Sequence, residues 1–264
     1  MYDLSTLDAA LGGTRYAGKL HFSRMTASTN SDAMAAARCG EPHGAVYLSD
    51  EQTAGRGRGD HAWISAAGQG LYVSVVLRLR IPGARLPLVP LVAGLAAAAA
   101  IRESSGLDAD LRWPNDQLIG PRKAGGILVE AGTSSRGLPH AVLPHVVVGI
   151  GINVHQRAFP QGLATPATSL DLETGRRISR QALLIALLKS LQQETEALVL
   201  PGAAERVMMR VEKASSWVRG RKVDVHGPQA CAGVTAGLDE NGFLRVETAQ
   251  GLVTVQTGGL RERD

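Results

Sequence analysis

Five consecutive residues, Gly55-Arg56-Gly57-Arg58-Gly59, carry the densest chemical signal in the chain. Glycines let backbone amides come close to an anion, and arginines add planar, forked donors matched to carboxylate or phosphate. The same pentapeptide also suits a flexible surface loop, and the two readings stand side by side. It is not a Walker A loop, because no Gly-Lys-Ser/Thr follows and no strand-to-helix passage surrounds it. Gly149-Ile150-Gly151 is not a dinucleotide fingerprint either: the third glycine is missing, and a strand continues through it. A second signal, Arg112-Trp113-Pro114-Asn115-Asp116, brings an amide and a carboxylate together at a proline turn. Such a pair can hold a magnesium-bound phosphate or orient an incoming amine, and it can equally be a plain structural turn. In Arg122-Lys123-Ala124-Gly125-Gly126 a lysine stands close to two glycines before an apolar run. Lys123 can approach a phosphoryl or carbonyl oxygen, or it can remain a solvated hairpin charge.

These residues need elements to hold them. The pattern predicts a helix over residues 3–11, stopped by Gly12-Gly13, and a strand over 20–25. An alanine-rich helix over 31–38 follows, with one of Ser28, Thr29 and Asn30 capping its first turn. After a short strand at 46–49, residues 53–60 hold three glycines and two arginines and cannot form a regular element. Strands are expected at 71–79, at Leu111-Arg112-Trp113, and, adjacent and buried, at 127–130 and 146–154. The apolar run 86–101 reads as a buried helix starting near Pro90, and 179–200 as an amphipathic helix with Leu183, Leu184, Leu187, Leu188 and Leu191 on one side. A further helix covers 203–213. From Val223 the texture changes to short alternating runs, with Asn241-Gly242 as a hairpin turn. A boundary near Ser216 therefore divides residues 1–215, a mixed α/β (α+β) domain, from residues 216–264, a small all-β, barrel-like module.

Composition narrows the function classes. With 264 residues, 44% hydrophobic and 20% charged, the chain is neither disordered, nor collagen-like, nor a coiled coil. A net charge of +4 and a pI near 9.3 favour an anionic partner, for which the phosphates of a nucleotide suffice. Cys39 and Cys231 lie in no CxxC or CxxH pattern, so neither a disulfide framework nor a thiolate metal site is expected, and a reducing cytoplasm is the expected setting. Residues 1–20 lack the basic and apolar regions of a signal peptide. The run 86–101 is too short for a membrane span and is broken by Pro87, Pro90 and Gly94, so no membrane association is expected.

The signals gain force in order. Ser28-Thr29-Asn30 is followed by Gln52-Thr53-Ala54-Gly55-Arg56-Gly57-Arg58, by Trp63, and by Gly70-Leu71-Tyr72-Val73-Ser74. Then come Arg112-Trp113-Pro114-Asn115-Asp116, Lys123 to Gly126 with Ile127-Leu128-Val129-Glu130, and Gly149-Ile150-Gly151-Ile152-Asn153. This series closely resembles the biotin protein ligases, also called biotin–[acetyl-CoA-carboxylase] ligases, by motif over residues 19–155 and by layout over the rest. The resemblance implies a mixed-sheet catalytic domain related to class II aminoacyl-tRNA synthetases, with a C-terminal SH3-like β-barrel. It implies an enzyme that makes biotinyl-5′-AMP from biotin and MgATP, releases pyrophosphate, and passes biotin to a lysine of the carboxyl carrier protein of acetyl-CoA carboxylase. A homodimer is common in that family.

By the same resemblance, Ser28, Thr29, Asn30 and Gln52 hold the biotin head group, whose ureido ring needs both donors and acceptors. Gly55, Arg56, Gly57 and Arg58 close over its carboxyl end, Gly126 allows close approach, and Lys123 sits between carboxyl and phosphate in both steps. Two anions about 4 Å apart repel by about 4 kcal/mol at an effective dielectric near 20, which these cations and magnesium offset. Trp63 covers the adenine or is a core aromatic. Asn115, Asp116 and Asn153 line the nucleotide and metal side, with Asp116 as the candidate magnesium contact and also placed to orient the acceptor amine. The sequence departs from the family where Gly59 and Asp60 follow Arg58 in place of a further arginine and glycine, and where Arg112 replaces a common lysine. Only about 18 residues precede the first matched strand, so the N-terminal DNA-binding module of some members, and with it sequence-specific DNA binding, is not expected. Three other readings compete. A lipoate ligase or octanoyltransferase would use a different glycine motif or a nucleophilic cysteine, for which Cys39 and Cys231 are poorly placed. A nucleic-acid binder would need more than 4% aromatic residues. A biotin-binding regulator without catalysis would not need Lys123, Asn115 and Asp116.

Overall fold

The computed structural model describes residues 2–59, 61–132 and 145–263; Asp60, part of the departure noted above, lies outside them. In chain order the elements are α1 (Leu4–Ala10), β1 (Leu20–Thr26), α2 (Thr29–Arg38), β2 (Val46–Gln52), β3 (Gly70–Leu77), α3 (Leu88–Ser105), β4 (Asp110–Arg112), β5 (Asp116–Ile119), β6 (Arg122–Ala131) and β7 (Val146–Asn153). There follow α4 (Leu170–Thr174), α5 (Arg180–Leu198), α6 (Ala203–Ala214) and β8 (Arg219–His226), β9 (Cys231–Leu238), β10 (Leu244–Thr248), β11 (Gly251–Val255) and β12 (Gly259–Glu262). Seven strands form a mixed sheet in the order β1-β2-β3-β7-β6-β5-β4, parallel only between β1 and β2. The last five form an antiparallel sheet in the order β11-β10-β9-β8-β12.

The central strands are buried on both sides, and their period-two alternation sorts residues onto two faces. On one face Leu71, Val73, Val75 and Leu77 of β3 and Val146, Val148, Ile150 and Ile152 of β7 join α3 and α5 in the main core. On the other, Val76 and Val147 pack against Ala33, Met34 and Ala37 of α2. Helix α2 covers only that end, so Tyr72, Ser74, Gly149 and Gly151 farther along the same face are left as the floor of a cleft. Helix α3, with the turn before it, is long and apolar enough to cross a membrane, but its residues lie in the core against α5 and the sheet.

Three local features differ from the sequence reading. None of Ser28, Thr29 and Asn30 caps α2: Ser28 makes no capping bond, and the Thr29 N–H is instead held by the Gln52 side chain, through Oε1 at 2.9 Å, a partner 23 residues away. Strand β6 starts at Arg122, five residues before the apolar run that predicted it, because pairing with β5 and β7 enforces the extended form where alternation is lacking. Helix α4, only five residues long and capped by Ser169, is too short to give a periodic signal.

The second sheet shares the main core. Val223, Val225, Leu244, Val246 and Val255 belong to the same hydrophobic cluster as α3 and β3. The Asn241-Gly242 turn seats on α3, where a Cβ at Gly242 (φ +81°) would lie 2.7 Å from Leu91 and 2.9 Å from Leu88. Trp113 Nε1 donates to the Gly242 carbonyl at 3.0 Å, tying the strand-end turn to the tail.

Candidate active site

Strand register lays the site out in rows across the mixed sheet. One row runs Tyr72, Gly151, Gly126, Asp116 and Arg112; the next runs Ser74, Gly149 and Leu128; a third runs Val76, Val147 and Glu130. The glycines make room for side chains from above. A Cβ on Gly151 would lie 2.5 Å from the Trp63 indole nitrogen, and one on Gly149 would lie 2.2 Å from Asn30 Oδ1. Their absence of side chains is therefore a matter of space, since neither has a positive φ.

Over this floor lies a cavity of about 890 Å³. Among its lining residues are Ser28, Thr29, Asn30, Gln52, Arg56, Gly57, Arg58, Trp63, Asn115, Asp116, Lys123, Gly126 and Asn153, so the residues singled out in the sequence meet in one place. Gly55 lies just behind the wall: a Cβ there would sit 2.3 Å from the Trp63 carbonyl.

At one end the polar groups are buried and mutually bonded. Thr29 Oγ1 is 2.8 Å from Ser74 Oγ, which donates to Asn30 Oδ1 at 2.7 Å. Gln52 Nε2 donates to Ser65 Oγ at 2.8 Å, which pins the loop that returns after residue 60. The irregular segment is closed by two isolated antiparallel bridges, Gln52 with Ser65 and Arg56 with Ala62. Arg56 Nη2 pairs with Glu130 at 2.6 Å. Arg58 reaches the other way and donates to the Gly258 carbonyl of the second sheet. Burial lowers the Arg58 pKa from its ordinary value, and nearby Asp116 acts against that shift.

The middle is cationic around a single carboxylate. Lys123 Nζ contacts Asp116 Oδ1 at 2.5 Å, and Arg112 donates to Oδ2 from Nη2 at 2.6 Å and from Nε at 3.2 Å. Burial alone would raise the Asp116 carboxyl, but Lys123 and Arg112 outweigh it and hold it below the ordinary carboxylate range. Lys123 also faces the Trp63 ring, 5.5 Å from its centroid. The Trp63 indole nitrogen is buried and has no hydrogen-bond partner.

Asn115 and Asn153 have structural partners of their own. Asn115 Nδ2 donates to the Ile127 carbonyl at 2.8 Å, and Asn153 Nδ2 to the Thr168 carbonyl at 3.0 Å. At the far end the wall comes from residues the sequence reading did not single out: 156–160, 163–165 and, from the second sheet, His226 to Pro228 and Thr257 to Arg261. The second-sheet residues lie far along the chain from the motifs, and 156–165, though they follow Asn153 closely, form no helix or strand and carry no motif. Ser74 and Glu130 were legible, since a hydroxyl inside a wholly buried strand and a carboxylate closing an apolar run both need a stated partner.

A profile of the biotin/lipoate A/B protein ligase family matches residues 24–153. The bifunctional ligase/repressor BirA of Bacillus subtilis (strain 168) is 30% identical over 236 residues, covering 88% of this chain and 70% of that protein. The biotin–[acetyl-CoA-carboxylase] ligase of Mycobacterium tuberculosis is 31% identical over 242 residues, covering 88% and 85%. Among solved structures, the biotin protein ligase of Aquifex aeolicus in complex with biotin and ATP superposes with a TM-score of 0.78 at 29% identity, covering 93% of this chain and 99% of that one.

Proposed function

This chain belongs to the biotin protein ligases, within the biotin/lipoate A/B protein ligase family, and from that premise we propose that it is an ATP-dependent ligase that activates biotin as biotinyl-5′-AMP, releases pyrophosphate, and transfers biotin to a lysine of a biotin carboxyl carrier protein. The observation that carries this reading is the polarity of this cavity: a buried array of hydroxyls and amides at one end, cations in the middle, and a second sheet walling the other end.

The buried array suits a ureido ring, which needs an acceptor for each N–H and a donor for its carbonyl. We assign that ring to Ser28, Thr29, Asn30 and Gln52. The biotin carboxylate then extends toward Gly55 to Arg58 and Lys123, where the α-phosphate must also arrive. In the adenylation step a carboxylate oxygen attacks the α-phosphorus and pyrophosphate leaves. Lys123 and Arg58 stabilise the charge that gathers on the phosphoryl oxygens. Asp116 holds Lys123 aimed before the reactants meet. In the second step the acceptor amine attacks the acyl carbon, AMP departs with the bonding electron pair and the amine proton leaves to solvent; Lys123 is placed to stabilise the tetrahedral oxyanion, and Asp116 to orient the amine. Trp63, with a buried indole N–H in want of an acceptor, is assigned to the nucleotide together with Asn115 and Asn153.

Magnesium fits this site only as a companion of ATP. Both Asp116 oxygens already accept from Lys123 and Arg112, and among the described residues no three His, Cys, Asp or Glu side chains cluster as metal ligands. Residues 1–215 supply the chemistry in this reading, and residues 216–264, read as SH3-like, close the nucleotide end. Two free thiols, Cys39 and Cys231, fit a cytoplasmic setting.

The test is mass-spectrometric detection of biotinyl-5′-AMP from purified protein, biotin and MgATP, with lipoate and octanoate as parallel acids. Adenylate from biotin alone is expected, and Lys123→Ala should abolish it in a protein that still folds, with a lowered thermal midpoint because Asp116 keeps only Arg112 as a partner. Adenylate from lipoate instead would assign the chain to lipoate chemistry.

A further inference from the structure

The hydrogen bonds at the buried end of the cavity form one chain. Glu130 Oε2 accepts from Arg56 Nη2 at 2.6 Å and from Asn30 Nδ2 at 2.8 Å. Asn30 Oδ1 accepts from Ser74 Oγ, which lies against Thr29 Oγ1, and Gln52 Oε1 accepts the Thr29 N–H. Amides can turn over and hydroxyl hydrogens can rotate, so the direction of such a chain is set by whichever member has only one option. Glu130 is the charged member of that kind, because an ionised carboxylate only accepts; the Leu128 carbonyl accepts from the same Asn30 Nδ2 at a longer 3.5 Å, against 2.8 Å to Glu130. The carboxylate draws Asn30 Nδ2 toward itself, which turns Oδ1 toward Ser74. Ser74 must then donate to Asn30, while the Thr29 hydroxyl hydrogen has two acceptors in reach, Ser74 Oγ at 2.8 Å and Gln52 Oε1 at 3.1 Å. With these hydrogens committed along the chain, the Asn30 and Ser74 oxygens keep lone pairs for a further donor beside Gly149, where the absence of a Cβ leaves Asn30 Oδ1 its space. Glu130 itself does not line the cavity.

We propose that Glu130 is a specificity-determining positioning residue: through Asn30 and Ser74 it sets the hydrogen-bond direction that makes the buried end of the cavity an acceptor for the N–H groups of a ureido ring. The inference rests on the biotin-ligase reading above. It separates two tasks of one carboxylate, since the contact with Arg56 could be lost while the direction of the chain is kept.

Glu130→Gln tests it, because glutamine has the same shape and either end of its amide can face Asn30. In calorimetric titration and steady-state assays of the full chain, the biotin Kd and KM should rise about tenfold or more, with kcat and KM for ATP within about twofold of the parent. The thermal midpoint should not move. Asn30→Asp/Glu130→Gln moves the carboxylate to the other side of the same hydrogen bond. The carboxylate at position 30 then accepts both from the amide at position 130 and from Ser74, so most of the lost biotin affinity should return, although the ion pair to Arg56 stays broken. Unchanged biotin affinity in Glu130→Gln, or no recovery in a folded double variant, overturns the proposal. Ser74→Ala/Glu130→Gln gives an independent arm. Because Ser74→Ala already removes one of the two acceptors that Glu130 orients, the double variant should lose less than the sum of the two single losses, whereas fully additive losses overturn the proposal. Parent protein that binds no biotin would overturn the ligase reading itself, a result visible before any variant is made.

Discussion

Asp116→Asn removes the one negative charge from between two cations. At contacts of 2.5 Å to Lys123 and 2.6 Å to Arg112, each attraction is about 6–7 kcal/mol at an effective dielectric near 20, before desolvation is subtracted. Breaking a buried pair by removing one partner costs about 3–5 kcal/mol, because the partner charge stays buried and unpaired. Lys123 is 28% exposed and can turn to water while Arg112, at 9%, cannot, so the lower end of that range applies. With a urea m-value of about 2–3 kcal/mol/M, the unfolding midpoint at pH 7 should fall by about 1 M or more. The pH dependence gives a sharper check. The folded Asp116 pKa lies below its unfolded value, so its stabilisation is complete above the unfolded carboxylate pKa of about 4 and is lost as pH falls through the folded value. The gap between parent and variant should therefore be flat from pH 8 to about 5 and close under stronger acid. A gap below about 1 kcal/mol at pH 7, or one that persists undiminished to about pH 3, would refute this account of the triad.

Three further outcomes follow from the geometry. Gly151→Ala should force the Trp63 ring off the glycine floor, changing tryptophan emission, destabilising by about 1–3 kcal/mol in urea unfolding and slowing adenylate formation. Trp113→Phe deletes the donor to the Gly242 carbonyl and should cost about 1 kcal/mol in the same unfolding assay, with the cavity chemistry retained. Leu187→Ala, at a fully buried position on α5, should lower stability by about 2–5 kcal/mol, read from the unfolding midpoint, without altering KM for biotin.

The elements that stand on apolar periodicity were legible in the chain itself: β3 and β7 as unbroken buried runs, α5 by its leucine face, and the tail by alternation around Asn241-Gly242. Elements made by partners were not. Strand β5 and the first half of β6 carry Asp116, Arg122, Lys123 and two glycines, and nothing local selects an extended form until β7 pairs with Gly125 and Gly126. The cap of α2 was hidden for the same reason, since Gln52 reaches it from another strand. The motifs announced which residue types gather, but not how their charges are shared. That Asp116 is clasped by Lys123 and Arg112, and Arg56 by Glu130, depends on cross-strand rows that spacing along one strand does not reveal.

The turn at Gly242 makes the C-terminal sheet a poor candidate for modular exchange. A graft from a related chain that brings any side chain to that position must also vacate the volume of Leu88 or Leu91, and it must present a carbonyl to Trp113. It must further deliver a backbone oxygen to Arg58 at the rim of the cavity. Inherited variation on the two sides of this seam is thus constrained jointly: the tail takes its seat from α3, and the cleft takes its far wall from the tail.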